Sequence, residues 1–282
     1  MLIKETSERS KQYNKAEKQV KSLLDLTQVE FEGISTKNNK ITCLLDRGLI
    51  NTSIDDFIKQ KQYKQLINEC EKHLSLKTKI AKKLQVPWLF VVYSYVDNKC
   101  VAFDLTKLFW KGQIFESFSA YGKWFSDFTD GTKRFSSYQE SGLPKFDKEL
   151  RANGTPWPGN IDGILFIADS KQMLCILEYQ NTTATKVRYH DNNKYMQATP
   201  YRKGDNKRWM VQERLSNALG VSVIVVVWSL QETEIGLKSI KSFSIDNLGL
   251  VTKINWGPIE YLPYSELKSE SFIKLLTRLH EE

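Results

Sequence analysis

At 282 residues, with 41% hydrophobic and 26% charged positions, the chain is long enough to bury a sizeable core and too apolar for disorder to be the default. A formal net charge of +8 favours polyanionic partners and argues against basic ligands. Four cysteines without a CxxC spacing and three scattered histidines argue against a zinc knuckle or a disulfide framework. The absence of an apolar leader or a bilayer-length run, in turn, points to a cytoplasmic protein with no membrane partner.

The first third reads as helical and polar. Residues 7–26 carry Tyr13, Ala16, Val20, Leu23 and Leu24 at helix-compatible spacing, and residues 53–84 place Ile54, Phe57, Ile58, Ile67, Cys70 and Leu74 on a similar stripe. Ser53 before Asp55-Asp56 is a plausible N-cap. Between positions 57 and 83 eight lysines face two glutamates, which is either a solvated helix face or a surface for nucleic acid or a protein partner. Pro87 marks a change of texture. Residues 88–96 and 100–105 are β-branched and aromatic runs joined by Asp97-Asn98-Lys99, a hairpin signal, whereas residues 107–142 show no clear period.

From position 144 the pattern sharpens. A short helix spans 144–152, a turn-rich connection 153–160, a strand 161–168, a turn 169–171 and a second strand 173–180. A polar loop follows, then a helix over 205–219 closed by Gly220, a buried strand over 221–228, strands over 240–245 and 248–256, and a final amphipathic helix with Phe272, Leu275, Leu276 and Leu279 on one face.

The hairpin carries the chemistry. Side chains alternate along a strand, so Glu178 and Gln180 point one way and Tyr179 the other. Fifteen residues separate Asp162 from Glu178 (178 − 162 − 1), and a tight turn at 169–171 brings both carboxylates to the same end of the hairpin. Two carboxylates beside a backbone carbonyl form a hard-oxygen site suited to Mg²⁺, with Mn²⁺ as a substitute. Such an ion polarises a phosphate and lowers the pKa of an attacking water, as phosphodiester hydrolysis requires.

Gly159-Asn160-Ile161-Asp162-Gly163, the following hairpin and Glu178-Tyr179-Gln180 resemble the D…(D/E)xK signature of the PD-(D/E)XK, restriction-endonuclease-like nuclease superfamily. The succession helix, strand, strand, helix, strand over 144–228 is similar to that family's core. The resemblance implies a central mixed β-sheet flanked by helices, here over 87–282, with residues 1–86 as a helical extension. It implies Asp162 and Glu178 as metal ligands, position 180 as the group that positions the attacking water, and Glu149 as an additional acid from the preceding helix. The family's usual lysine is replaced by Gln180, whose amide offers hydrogen bonds but no charge. Either the metal does more of the water activation, or a cation such as Lys194 or Arg188 reaches the site.

From Lys186 to Arg208 seven cations face two acids, with Tyr189, Tyr195, Tyr201 and Trp209 interleaved. Lys186, Arg188, His190, Lys194, Arg202, Lys207 and Arg208 are candidate phosphate contacts, and the aromatics are candidate stacking platforms. The expectation is a Mg²⁺-dependent endonuclease acting on DNA, with RNA left open as a substrate and a homodimer or a protein partner possible. The alternatives are a non-cutting nucleic-acid-binding module on the same fold and a partner-dependent subunit.

Overall fold

The structure, a computed structural model, describes residues 1–4, 27–61, 63–71, 73–107, 111–130, 143–167, 172–183, 186–197, 204–231, 233–266 and 268–281. The helix expected over 7–26 and the turn at 169–171 lie outside the described residues. The protein is α/β, with two mixed sheets and, among the described residues, seven α-helices. The chain divides into two compact units, Met1–Gln12 with Phe31–Asn160, and Tyr13–Glu30 with Ile161–Glu282.

The first unit holds a five-stranded sheet. Its strands are β2 (Gly33–Lys37), β3 (Lys40–Ile50), β4 (Trp88–Ser94), β5 (Cys100–Asp104) and β6 (Gly112–Phe115), in that order across the sheet. The β2–β3 hairpin turns on Asn38 and Asn39, both at positive φ (51° and 60°), the geometry that a two-residue turn matching strand twist requires and that Asn tolerates. Strands β3 and β4 run parallel, so the chain between them must cross over. It does so through α1 (Ile54–Lys59), α2 (Tyr63–Cys70) and α3 (Leu74–Leu84). Ser53 caps α1 as expected, accepting from the Asp56 amide. Helices α4 (Phe118–Phe125) and α5 (Lys145–Ala152) cover one sheet face, where Tyr93 stacks on Phe146 at 4.4 Å among Leu45, Val91, Tyr121 and Leu150.

The second unit is built on a six-stranded sheet in the order β1-β7-β8-β9-β10-β11. The strands are β1 (Thr27–Phe31), β7 (Ile161–Phe166), β8 (Met173–Thr182), β9 (Ser222–Ser229), β10 (Glu234–Ile245) and β11 (Val251–Pro263). β7 and β8 form the expected antiparallel hairpin, and β8 pairs with β9 in parallel, with α6 (Asn206–Leu219) as the crossover. Gly220 ends α6 at φ 66°, the left-handed cap read from the sequence. β9 is central and almost wholly buried, which is why it reads as an uninterrupted apolar run. One sheet face is sealed by α7 (Ser269–Glu281), whose Phe272, Leu276 and Leu279 pack on Leu165, Cys175, Leu177, Ile224, Val226, Ile235 and Leu237. Burying each such side chain contributes about 1.5–3 kcal/mol.

Two expectations are corrected. Residues 27–50 form three strands instead of belonging to a helical extension, and the units divide at 160/161 instead of 86/87. Pro87 marks a helix-to-strand change within one unit. The β3 pattern was obscured by Asp46 and Arg47 in mid-strand, charges that the fold buries as ion pairs. Lys77 Nζ lies 2.8 Å from Asp46 Oδ2 and also pairs with Glu71, Trp88 Nε1 donates to Asp46, and Arg47 pairs with Asp147 and Glu32. Removing one partner leaves a buried charge uncompensated. Lys77→Met is therefore expected to destabilise the protein by about 3–5 kcal/mol, read as a lower denaturation midpoint in urea, with Lys77→Arg losing less.

Candidate functional site

The site is assembled on the sheet face of the second unit opposite α7. The β7–β8 register runs Gly163↔Leu177 and Ile164↔Ile176, so the next step outward sets Asp162 across from Glu178. Leu177 and Tyr179 join the α7 cluster, so Ile176, Glu178 and Gln180 occupy the other face. Continued by one residue, that register puts positions 162 and 178 on the same face of the sheet. β1 holds the Asp162 end. Gln28 Nε2 donates to the Asp162 carbonyl at 2.7 Å and Gln28 Oε1 accepts from the Tyr179 hydroxyl at 3.0 Å. Gly163 permits this approach, since a Cβ there would lie 2.5 Å from Gln28 Cγ. Asp162 Oδ2 accepts from the Tyr179 amide at 2.7 Å.

Glu178 is 1% exposed, and its charge is answered from α6. Arg208 Nη2 pairs with Oε1, and Gln212 Nε2 donates to Oε2 at 2.9 Å. Positions 208 and 212 are four apart and so share a helix face. The Arg208 side chain keeps 46% of its surface accessible, yet its guanidinium lies deep enough that burial lowers its pKa, while the charge on Asp162 pulls the other way. Both acids therefore lie in the field of one cation.

Gln180 belongs to a second, neutral cluster. Its Oε1 is met by His190 Nε2 at 2.8 Å and by Asn192 Nδ2. Both partners come from the segment carrying the 3₁₀ turns Val187–Tyr189 and Asn192–Tyr195, which is pinned to the sheet by Val187 N donating to Glu234 Oε1 at 2.6 Å and by Asn193 bridging the Ile254 backbone. Burial, reinforced by the charge of Lys238, lowers the His190 pKa to about 4.

Not all expected residues converge. Glu149 belongs to the first unit, 3.8 Å from Lys145, on a helix whose Phe146 and Leu150 are committed to that unit's core. Trp209 is fully buried and is part of the fold, not a stacking platform. Lys186, Arg188, Lys194 and Lys207 are exposed, Arg188 lying over the Tyr261 ring at 5.6 Å, and Tyr189 is 68% exposed. Arg202 and Tyr201 lie outside the described residues. Gln212, Asn192 and Lys238 were missed, although the i, i+4 spacing from Arg208 and a lone lysine in the apolar run Ile235–Ile240 were visible signals.

Among the described residues no group of three or more His, Cys, Asp or Glu side chains is arranged to hold a metal ion. Two carboxylates fit an ion that keeps several waters. Among the same residues no helix is long and apolar enough to cross a membrane. Compared with known proteins, the chain matches no protein-family model, no curated protein and no solved structure.

The depressed His190 pKa has a measurable consequence. A group whose folded pKa falls below its unfolded value of 6.5 contributes stability above that value and loses it as pH falls toward about 4. Between pH 6.5 and 4.5 the melting temperature of His190→Gln should therefore fall less than that of the wild type, as measured by thermal scans at matched ionic strength.

Proposed function

We propose that the chain is a Mg²⁺-dependent nuclease that hydrolyses DNA phosphodiester bonds on a restriction-endonuclease-like core. The observation that carries this reading is the β7–β8 register, which continued by one residue sets Asp162 beside Glu178, with a half-exposed arginine at the buried acid. A buried carboxylate demands a counter-charge. Arg208 supplies one here, and its side chain, part of whose surface is accessible, would turn from Glu178 toward a phosphate if a divalent ion took its place. Asp162 and Glu178 would hold that ion, with Mn²⁺ as a substitute. When bound, the ion polarises the phosphate and lowers the pKa of the attacking water.

The chain's own residues do the rest. Gln212 fixes the Glu178 carboxylate, the Tyr179 amide orients Asp162, and Gln180 orients the attacking water. Lys186, Arg188, Lys194 and Lys207 contact backbone phosphates, and Tyr189 offers an exposed ring for base stacking. In hydrolysis a water oxygen bonds to phosphorus, one P–O ester bond breaks, and the water's proton leaves to solvent as the departing oxygen gains one.

One observation favours a second reading. Because Arg208 already neutralises Glu178, the same surface can serve as a nucleic-acid-binding module without metal or cleavage. Supercoiled plasmid separates the two. The nuclease nicks it in Mg²⁺ and not in EDTA, and Asp162→Ala or Glu178→Ala cuts it at no more than about one-hundredth of the wild-type rate, since even groups that only support metal ligands cost 10–100-fold. The binding module retards DNA equally in EDTA and leaves it intact, and unchanged cutting by both variants would reject the metal site.

A further inference from the structure

The second unit buries a lysine that the reading above does not use. Lys238 on β10 is 3% exposed and pairs across the sheet with Val225, which in turn pairs with Glu178, so the three lie in one row on one face. The contrast with Lys77, the buried lysine of the first unit, is instructive. Lys77 has two carboxylates, Asp46 and Glu71, at its amine. Among the described residues Lys238 has no ion pair, and its one hydrogen bond runs from Nζ to the backbone carbonyl of His190, with the Trp256 ring 5.4 Å away. A buried ammonium kept without a carboxylate is costly to stability, so its retention calls for a role that the charge itself performs.

The position of that carbonyl indicates the role. His190 stands between Lys238, which holds its backbone, and Gln180, which its ring contacts through Nε2. A positive charge beside the imidazole opposes its protonation; Asp191 is the acid that faces both Lys238 and His190, and it weakens this effect without forming an ion pair. A neutral ring that donates from Nε2 to the Gln180 carbonyl keeps Nδ1 as an acceptor. Asn192 Nδ2 meets the same Gln180 oxygen. With two donors on Oε1, the group Gln180 has left to offer is its NH₂.

We propose that Lys238 is a positioning residue that latches the His190–Asn192 segment so that Gln180 faces the site as a hydrogen-bond donor, suited to an acceptor oxygen such as that of a phosphodiester or of the attacking water. The identity of that oxygen rests on the nuclease reading; the latch does not. It also separates the roles of cation and donor. Charge stays in the second rank, and the neutral amide meets the ligand.

The experiment uses the full chain as wild type, Lys238→Met and Lys238→Arg, with each variant's folding checked by circular dichroism. Lys238→Gln replaces the methionine variant if that one does not fold. The His190 ring is followed by NMR, assigned by its loss in His190→Gln. The latch predicts that its midpoint, about 4 in the wild type, moves upward by about one unit or more in Lys238→Met and stays low in Lys238→Arg. With Mg²⁺ and a DNA substrate, Lys238→Met should lose at least about tenfold in kcat with KM within about twofold, and Lys238→Arg should recover most of it. An unmoved His190 midpoint in Lys238→Met overturns the latch, and a moved midpoint with full kcat overturns its role in positioning Gln180. A wild type that cuts no DNA rejects the nuclease reading instead, and the NMR titration then decides the latch by itself.

Discussion

Glu178 is a carboxylate placed where the sheet leaves it almost no water, and most of the second unit's polar architecture answers that placement. Moving an ionised carboxylate out of water carries an effective penalty of several kcal/mol unless charge and hydrogen bonds compensate. The parallel crossover from β8 through α6 to β9 lays a helix over this part of the sheet, and two residues one turn apart on it, Arg208 and Gln212, reach the two carboxylate oxygens. The neighbouring strand contributes Asp162, whose own oxygen is tied to the β8 backbone. A substitution that moved α6 would therefore expose an unbalanced acid as well as an apolar face.

The same sheet face has two electrostatic characters. Toward β7 it is ionic, with two acids and a cation that remains accessible. Toward β10 it is neutral where it meets Gln180, and the charge is held one residue back, on Lys238. Glutamine at position 180 is coherent with that division. An amide anchored by His190 and Asn192 has a defined orientation. The first unit handles buried charge differently, matching each buried cation to carboxylates.

Much of this is legible in the sequence. Period-two alternation placed Glu178 and Gln180 together, the glycine at 220 marked the end of α6, and the apolar run of β9 declared a central strand. What stayed hidden was non-local. Asp46 and Arg47 broke the strand pattern of β3 because their partners, Lys77 and Asp147, lie 31 and 100 residues away. The Asn38-Asn39 turn was a readable hairpin signal that the charged texture around it masked. Glu149 lies on a helix whose Phe146 and Leu150 join the first unit's aromatic core. Trp209, a candidate stacking ring in the sequence, is fully buried in the second unit. Lys238 could be noticed as an anomaly in an apolar strand, but only the sheet register showed that it shares a face with Glu178.

The proposed function requires Asp162 and Glu178 to grip one divalent ion together. Calorimetric titration of Mg²⁺ into the wild type, Asp162→Asn and Glu178→Gln tests that without reference to any substrate. The account predicts one site per chain in the wild type and its loss in both single variants, because neither acid alone suffices. Equal Mg²⁺ affinity in all three proteins would contradict it.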